Sequence, residues 1–157
     1  MPSNGTITFN GNEYLVRSDV ADGIYKIEIG IRPIGKVRLN RSDSWKKKDG
    51  TFRREAVQRW YEYKDLLKYV IQTLNVNIAD TNDLEIQAWF QMPKGWSAKK
   101  KARMTGMLHD VKPDADNIAK GVMDSLFEHD QQIGILHVEK HWGDKDSLYM
   151  TFRNWGS

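Results

Sequence analysis

The sequence predicts an α+β (mixed α/β) fold, and three stretches carry that expectation. Residues 24–31 alternate Ile24, Lys26, Glu28 and Gly30 against Tyr25, Ile27, Ile29 and Ile31, the period-two pattern of a half-buried strand. Residues 53–74 place Val57, Trp60, Leu67, Val70, Ile71 and Leu74 at three- and four-residue spacings, with Tyr63 and Leu66 widening the stripe, as a long core helix requires. Residues 84–92 return to alternation, with Leu84, Ile86, Ala88 and Phe90 on one face. At 157 residues and 39% hydrophobic, the chain suffices for one domain spanning 1–157 with its own core.

The remaining elements follow in chain order. Residues 1–4 read as disordered. Thr6–Phe9 and Glu13–Val16 flank Asn10-Gly11-Asn12, a strong hairpin signal, and Ser18 to Gly23 reads as a polar turn. From Arg32 to Thr51 the residues Pro33, Gly35, Asn40, Asp43, Asp49 and Gly50 interrupt any period, which predicts a long basic loop that orders in part on contact with nucleic acid. Asn75 to Asn82 is turn-rich, and Pro93 ends the strand before it. Ser97 is a plausible N-cap for a short basic helix. Residues 105–111 form a connection containing His109, a candidate ligand or acid–base group, although a lone loop histidine is more often neither. Ile133–Val138 and Ser147–Phe152 read as strands joined around Gly143-Asp144 in a closing hairpin. The result is a mixed sheet packed with one long helix and one shorter acidic helix, without a glycine-rich phosphate loop or a run of βαβ units.

Composition narrows the chemistry. There is no cysteine, so disulfides, zinc–thiolate sites and cysteine nucleophiles are excluded. No signal-peptide pattern opens the sequence and no apolar run approaches membrane-spanning length, so the chain reads as soluble and cytoplasmic. The net charge of +3 is unevenly spread. Lys36, Arg38, Arg41, Lys46, Lys47 and Lys48 precede Arg53 and Arg54, and Lys94, Lys99, Lys100, Lys101 and Arg103 form a second basic run. Such runs are usually solvated surface; two of them flanking an acidic stretch suggest a cationic face for a polyanion. Trp45 and Trp96 lie inside these runs, where their rings can stack on bases or pack into a core.

The acidic stretch is residues 112–133. Pro113 biases Lys112 toward extended backbone, and in extended chain the Asp114 and Asp116 side chains point the same way. Asp116 or Asn117 can cap the helix that follows, on which Asp116, Lys120 and Asp124 recur every fourth residue beside an apolar stripe of Ile118, Val122 and Leu126. Asp130 lies beyond the helix, where the chain can return beside its start. Crowded carboxylates repel, and a hard divalent cation such as Mg²⁺ offsets that repulsion. The competing reading makes Asp116 a simple N-cap and Lys120 with Asp124 a surface pair. An EF-hand loop fails, because Ile118 and Ala119 stand where an oxygen ligand and a glycine are needed.

The motifs Lys-Pro-Asp-Ala-Asp-Asn-Ile-Ala-Lys (112–120), Met-Asp-Ser-Leu (123–126) and His-Asp-Gln-Gln-Ile (129–133) resemble those of the RusA family of Holliday junction resolvases, small homodimeric Mg²⁺-dependent endonucleases of bacteria and their prophages. The likeness covers most of residues 24–153; Tyr61–Lys64, the segment 92–97 and Lys140-His141-Trp142-Gly143 also fit. The resemblance implies catalytic, metal-holding Asp114, Asp116 and Asp130 with an essential Lys120, and supporting positions at Asp124 and His129. It implies Mg²⁺ with Mn²⁺ as a substitute, no small-molecule cofactor, no membrane, and a homodimer that makes paired nicks in a four-way junction through metal-activated water. Arg38, Lys46, Lys47, Lys48, Trp96, Lys99, Lys100, Lys101, Arg103 and Lys112 then become the DNA-binding set. Two departures stand out: His129-Asp130 replaces a common pair of aspartates, and the segment from Asp124 to Asp130 is short. A degenerate junction-binding protein and a flap or fork nuclease are the alternatives these departures leave open.

Overall fold

The computed structural model describes residues 2–156. Six strands form one sheet: β1 (Pro2–Phe9), β2 (Asn12–Ala21), β3 (Ile24–Ile29), β4 (Asp83–Gln91), β5 (Ile135–Gly143) and β6 (Ser147–Arg153). Their order across the sheet is β1-β2-β3-β6-β4-β5, antiparallel throughout except for the parallel pair β4 and β5. Two-residue turns build the first three strands into a meander. Asn10-Gly11 and Asp22-Gly23 all take positive φ, the geometry whose twist matches the flanking strands. Residues 2–4, expected to be disordered, pair with Asp19, Ser18 and Arg17, and Ser18–Ala21, expected to turn, are strand. Polar side chains misled the reading there, because an exposed ladder needs only backbone groups.

Helix α1 (Glu55–Leu74) buries Val57, Trp60, Tyr63, Leu66, Leu67, Val70 and Ile71, and ends where Asn75 turns left-handed at φ 53°. Its start is two residues later than the periodicity suggests, because Arg54 is extended and engaged elsewhere. The core forms with Leu84, Ile86, Ala88 and Phe90 of β4, Leu148, Met150 and Phe152 of β6, and Ile27 and Ile29 of β3. Truncating one of the large buried side chains, Phe90 for example, costs about 3–5 kcal/mol.

From β4 the chain crosses through α2 (Ala98–Met104) and α3 (Ala115–Leu126) to reach parallel β5. The expected closing hairpin is absent: β6 pairs with β3 and β4, leaving β4 between it and β5. The turn instead passes over the end of β4. Met92 N–H donates to the Gly143 carbonyl (3.0 Å) and Gln91 N–H to Asp146 Oδ1 (2.8 Å). A Cβ on Gly143 would lie 3.1 Å from the Trp89 ring, so a larger residue at this crossing would need that ring to give way. Strand order depends on such distant contacts and was invisible in local patterning. Among the described residues, no helix is long and apolar enough to cross a membrane.

Candidate active site

Helix α3 begins at Asp114, whose backbone is extended at the N-cap (φ −69°, ψ 147°) after a cis Lys112–Pro113 bond. Asp114, not Asp116 or Asn117, is therefore the cap residue, and its carboxylate makes no cap hydrogen bond. It lies 3.6 Å from Lys112 Nζ. Asp116 sits in the first helical turn, where the helix dipole favours negative charge, and Asn117 N–H donates to its Oδ1 (2.9 Å).

Two contacts fix the helix start. Lys140, on β5, donates from Nζ to the carbonyls of Val111 and Pro113, both at 2.7 Å. On the other side the segment Ile34–Lys36 crosses α3 at close range, with Lys36 N–H donating to the Asn117 carbonyl (3.2 Å). A Cβ on Gly121 would lie 3.3 Å from Trp60 and 3.4 Å from Lys36 N, so the bare helix position lets the segment approach without displacing the Trp60 ring.

Asp116, Lys120 and Asp130 line one cleft of about 570 Å³, floored by Leu136 and Val138 of β5 and walled by Met123. Asp130 starts a 3₁₀ turn, Asp130–Gln132, that follows α3 closely. Gln132 Nε2 ties that turn down by donating to the carbonyls of Ala79 and Thr81, both at 2.7 Å. Neither Asp116 nor Asp130 has an ion-pair partner among the described residues. Asp114 does not line the cleft. Asp124 leaves it as well: its Oδ2 pairs with Lys36 Nζ at 2.5 Å. An α-helix turns about 100° per residue, so residues eight apart drift by about 80°, and a stripe drawn through every fourth residue overreaches at its third member. No Lys120–Asp124 pair forms, so the simple surface-pair reading of this stretch does not describe it. His129 is exposed and lies 3.9 Å from Glu128.

The basic residues fall into two displays. In α2, Ser97 caps by accepting from Lys100 N–H (3.1 Å), and no residue of the helix is buried, so Lys99, Lys100, Lys101 and Arg103 stand on an open surface. Trp96 is half-buried against Trp142 (centroids 4.9 Å), with Lys100 Nζ 4.2 Å from its centroid. In the segment 32–54 the only regular features are a 3₁₀ turn, Arg41–Ser44, and a bridge between Lys46 and Phe52. The loop is nevertheless held together. Asp43 is buried and takes Arg54 Nε at 2.8 Å and Nη2 at 2.5 Å, while Asn40 N–H adds a third bond (2.7 Å). The Arg54 guanidinium holds the Asp43 carboxyl below the usual carboxylate range. Arg54 also donates to the Arg38 carbonyl (2.9 Å). This latch gives the segment internal order of its own, more than the partial ordering on contact with nucleic acid that the sequence suggests. It presents Trp45, 60% exposed with Arg53 beside its ring (5.8 Å), together with exposed Lys47 and Lys48 and Lys46 over Phe52 (4.9 Å). Lys112 is also largely exposed.

His109 has neither of the roles considered for it. It is 4% exposed, stacked on Phe90 (4.0 Å) and beside Trp142 (4.3 Å), and both ring nitrogens lack hydrogen-bond partners. Burial, then the charges of Lys140 and Arg32, push its pKa down, so it is a neutral core residue. Lys140 and Gln132 are the positioning residues that sequence patterning missed. Both act on backbone carbonyls, which leave no trace in side-chain spacing.

The family model described as endodeoxyribonuclease RusA matches residues 31–152, a span that takes in every candidate site residue and leaves β1 to β3 outside. No curated protein matches the chain.

Proposed function

The chain belongs to the endodeoxyribonuclease RusA family and is a junction-resolving DNA endonuclease; from that premise we propose that Asp116, Asp130 and Lys120 are its reactive centre, with Asp114 at the rim. The observation that carries this is a single cleft holding two aspartates without cationic partners beside one lysine. The donor set fits Mg²⁺, or Mn²⁺ in its place: the two carboxylates offer only hard oxygen, are solvent-accessible and make no ion pair among the described residues. Asp116 and Asp130 would hold the ion, and Asp114 would complete the set from the N-cap. When bound, the ion supplies an activated water and neutralises charge on the scissile phosphate.

The protein's own groups do the rest. Lys120 holds a fixed positive charge where negative charge grows on the phosphate oxygens during in-line displacement, an electrostatic role strengthened by the apolar floor of Leu136 and Val138. Lys140 and Gln132 hold the two aspartates' segments in place. The Lys99–Lys101, Arg103 and Lys46–Lys48 displays, with Arg38, Lys112, Trp45 and Trp96, bind the DNA backbone of a four-way junction, where contacts set register more than sequence. A homodimer with twofold symmetry gives two such clefts for paired nicks. His129 stands away from the cleft walls, so its replacement of an acidic residue leaves the cleft set intact, which favours an active enzyme over a degenerate binder.

The test is Asp116→Asn on a labelled four-way junction. It is expected to abolish Mg²⁺-dependent nicking while junction binding persists or tightens, because one negative charge near phosphate is gone. Nicking by this variant at the wild-type rate would overturn the assignment.

A further inference from the structure

We propose that Glu85, His137 and Glu139 form a second metal site, selective for a zinc-class ion, on the opposite face of β5 from the cleft, with His141 as the positioning residue that orients Glu139. Side chains alternate along a strand. Leu136, Val138 and Lys140 therefore serve the cleft and the α3 start, while His137, Glu139 and His141 point to the sheet face away from the helices. Glu85 joins them because it is the register partner of His137 on parallel β4. One ligand atom from each of Glu85, His137 and Glu139 lies within 4.8 Å of the others.

The arrangement is more specific than a few neighbouring charges. Glu139 is engaged at both oxygens, with His137 Nε2 3.0 Å from Oε2 and His141 Nε2 3.4 Å from Oε1. His141 Nδ1 lies 3.0 Å from the Gly106 carbonyl. A carbonyl can only accept, so His141 Nδ1 carries a proton and donates it there, which fixes the ring with Nε2 toward Glu139. An imidazole that gives its other N–H to a backbone carbonyl is also the usual outer support of a metal site. The His141 ring cannot easily turn away, being largely buried and stacked on Trp89 at 4.7 Å.

Charge and ligand type then select the ion. Arg153 offsets one carboxylate through Glu85 Oε2 (3.2 Å), so of the two carboxylates one has no guanidinium against it. Imidazole nitrogen with carboxylate oxygen suits zinc and similar transition ions, whereas Mg²⁺ prefers oxygen and water. Such an ion would staple edge strand β5 to β4, and through Leu136 and Val138 it would stiffen the floor of the cleft behind.

The experiment uses full-length protein without a histidine tag, stripped by chelator and titrated with Zn²⁺ by calorimetry, with Co²⁺ absorption as a reading of ligand geometry. The expected result is one zinc per chain, a melting temperature raised by zinc, and affinity about 100-fold weaker in His137→Ala and in Glu139→Gln. His141→Ala should weaken binding by about 10–100-fold and alter the Co²⁺ spectrum. His137 is 57% exposed, so its variant should melt like metal-free wild type; if it does not, Glu85→Gln supplies the same comparison. Asp116→Asn must keep zinc binding, which separates this site from the nuclease centre. Equal zinc affinity in wild type and the His137 and Glu139 variants, no binding at all, or loss of zinc with Asp116→Asn would each overturn the proposal.

Discussion

Two sets of carboxylates on this chain meet opposite fates. Asp43 and Asp124 are paired, the first with Arg54 in a buried two-pronged contact and the second with Lys36 beside the last turn of α3. Asp116 and Asp130 share a cleft with Lys120 and make no ion pair among the described residues, although lysine and arginine abound nearby. The difference teaches where this sequence uses charge for structure and where it withholds it. A paired carboxylate fixes a loop. An unpaired one in open water costs little to hold and keeps its lone pairs for an ion. Asp43 shows the structural use in its pH dependence. Its folded pKa is lowered, so its contribution is present above the ordinary aspartate range and is lost only as pH falls through the lower folded value. The latch on the basic loop therefore outlasts neutral and mildly acidic conditions.

The widest gap between the two sets should appear on removing one charge from each. Asp130→Asn should cut nicking by about 10³-fold, the scale of losing one electrostatic group at a reacting centre, with little change in melting temperature. Asp124→Asn should do the reverse, lowering stability by below about 1 kcal/mol for a part-exposed pair while nicking falls only a few-fold. Single-turnover cleavage and thermal melts on the same samples decide it. Equal activity losses would erase the distinction between paired and unpaired acids.

Lys140 sharpens the same contrast, because it is a cation beside the site that bonds carbonyls instead of carboxylates. Lys140→Met should release the 111–113 segment and lower nicking by about 10–100-fold, the range seen when an outer support of a metal site is lost. Junction affinity should stay unchanged. A loss of binding equal to the loss of nicking would instead make Lys140 a DNA contact.

Much of this was readable in the residues, for reasons that differ by scale. The alternation at Tyr25–Ile31 and Leu84–Phe90 and the helical stripe from Val57 to Leu74 report burial directly, so the fold class and its main elements were legible. The order β6-β4-β5 was not, because it depends on Gly143 passing Trp89 and on Asp146 reaching Gln91, contacts between residues distant in sequence. At the site, the grouping of Asp116, Lys120 and Asp130 follows from a motif with fixed spacing. Asp114 reads as a twin of Asp116 in extended chain, but the helix starts between them and separates their directions. The order in the 32–54 loop escaped notice because Asp43 and Arg54 are eleven residues apart and look, one by one, like surface residues.

His109 extends the comparison to an unpartnered group that is buried. Unlike the cleft aspartates, it has no water to hold a charge and must stay neutral. Its folded pKa is lowered from an ordinary value of about 6.5, so the stability it lends is complete above that value and drains as pH falls below it. The slope for one such group is at most about 1.4 kcal/mol per pH unit. Melting temperature should therefore fall from pH 6.5 toward 5 in the wild type and fall less steeply in His109→Phe, whose ring can occupy the same slot between Phe90 and Trp142. Parallel curves for the two proteins would show that another group governs the acid side.

The smallest effect belongs to a charge that has no ion-pair partner among the described residues and is only half-buried. On α2, whose residues all stay unburied, Lys101 stands where a phosphate can displace its water and counterions. Removing it as Lys101→Ala should weaken junction binding by a similar factor for every sequence tested, because backbone contact carries no base information. The slope of log affinity against log salt should flatten by about one unit, one phosphate contact fewer. The rate of nicking by saturating enzyme should not change, because Lys101 lies outside the cleft. Measured affinities at several salt concentrations test the point: a shift of the whole line without a change of slope would mean that Lys101 acts by shaping α2, not by meeting DNA.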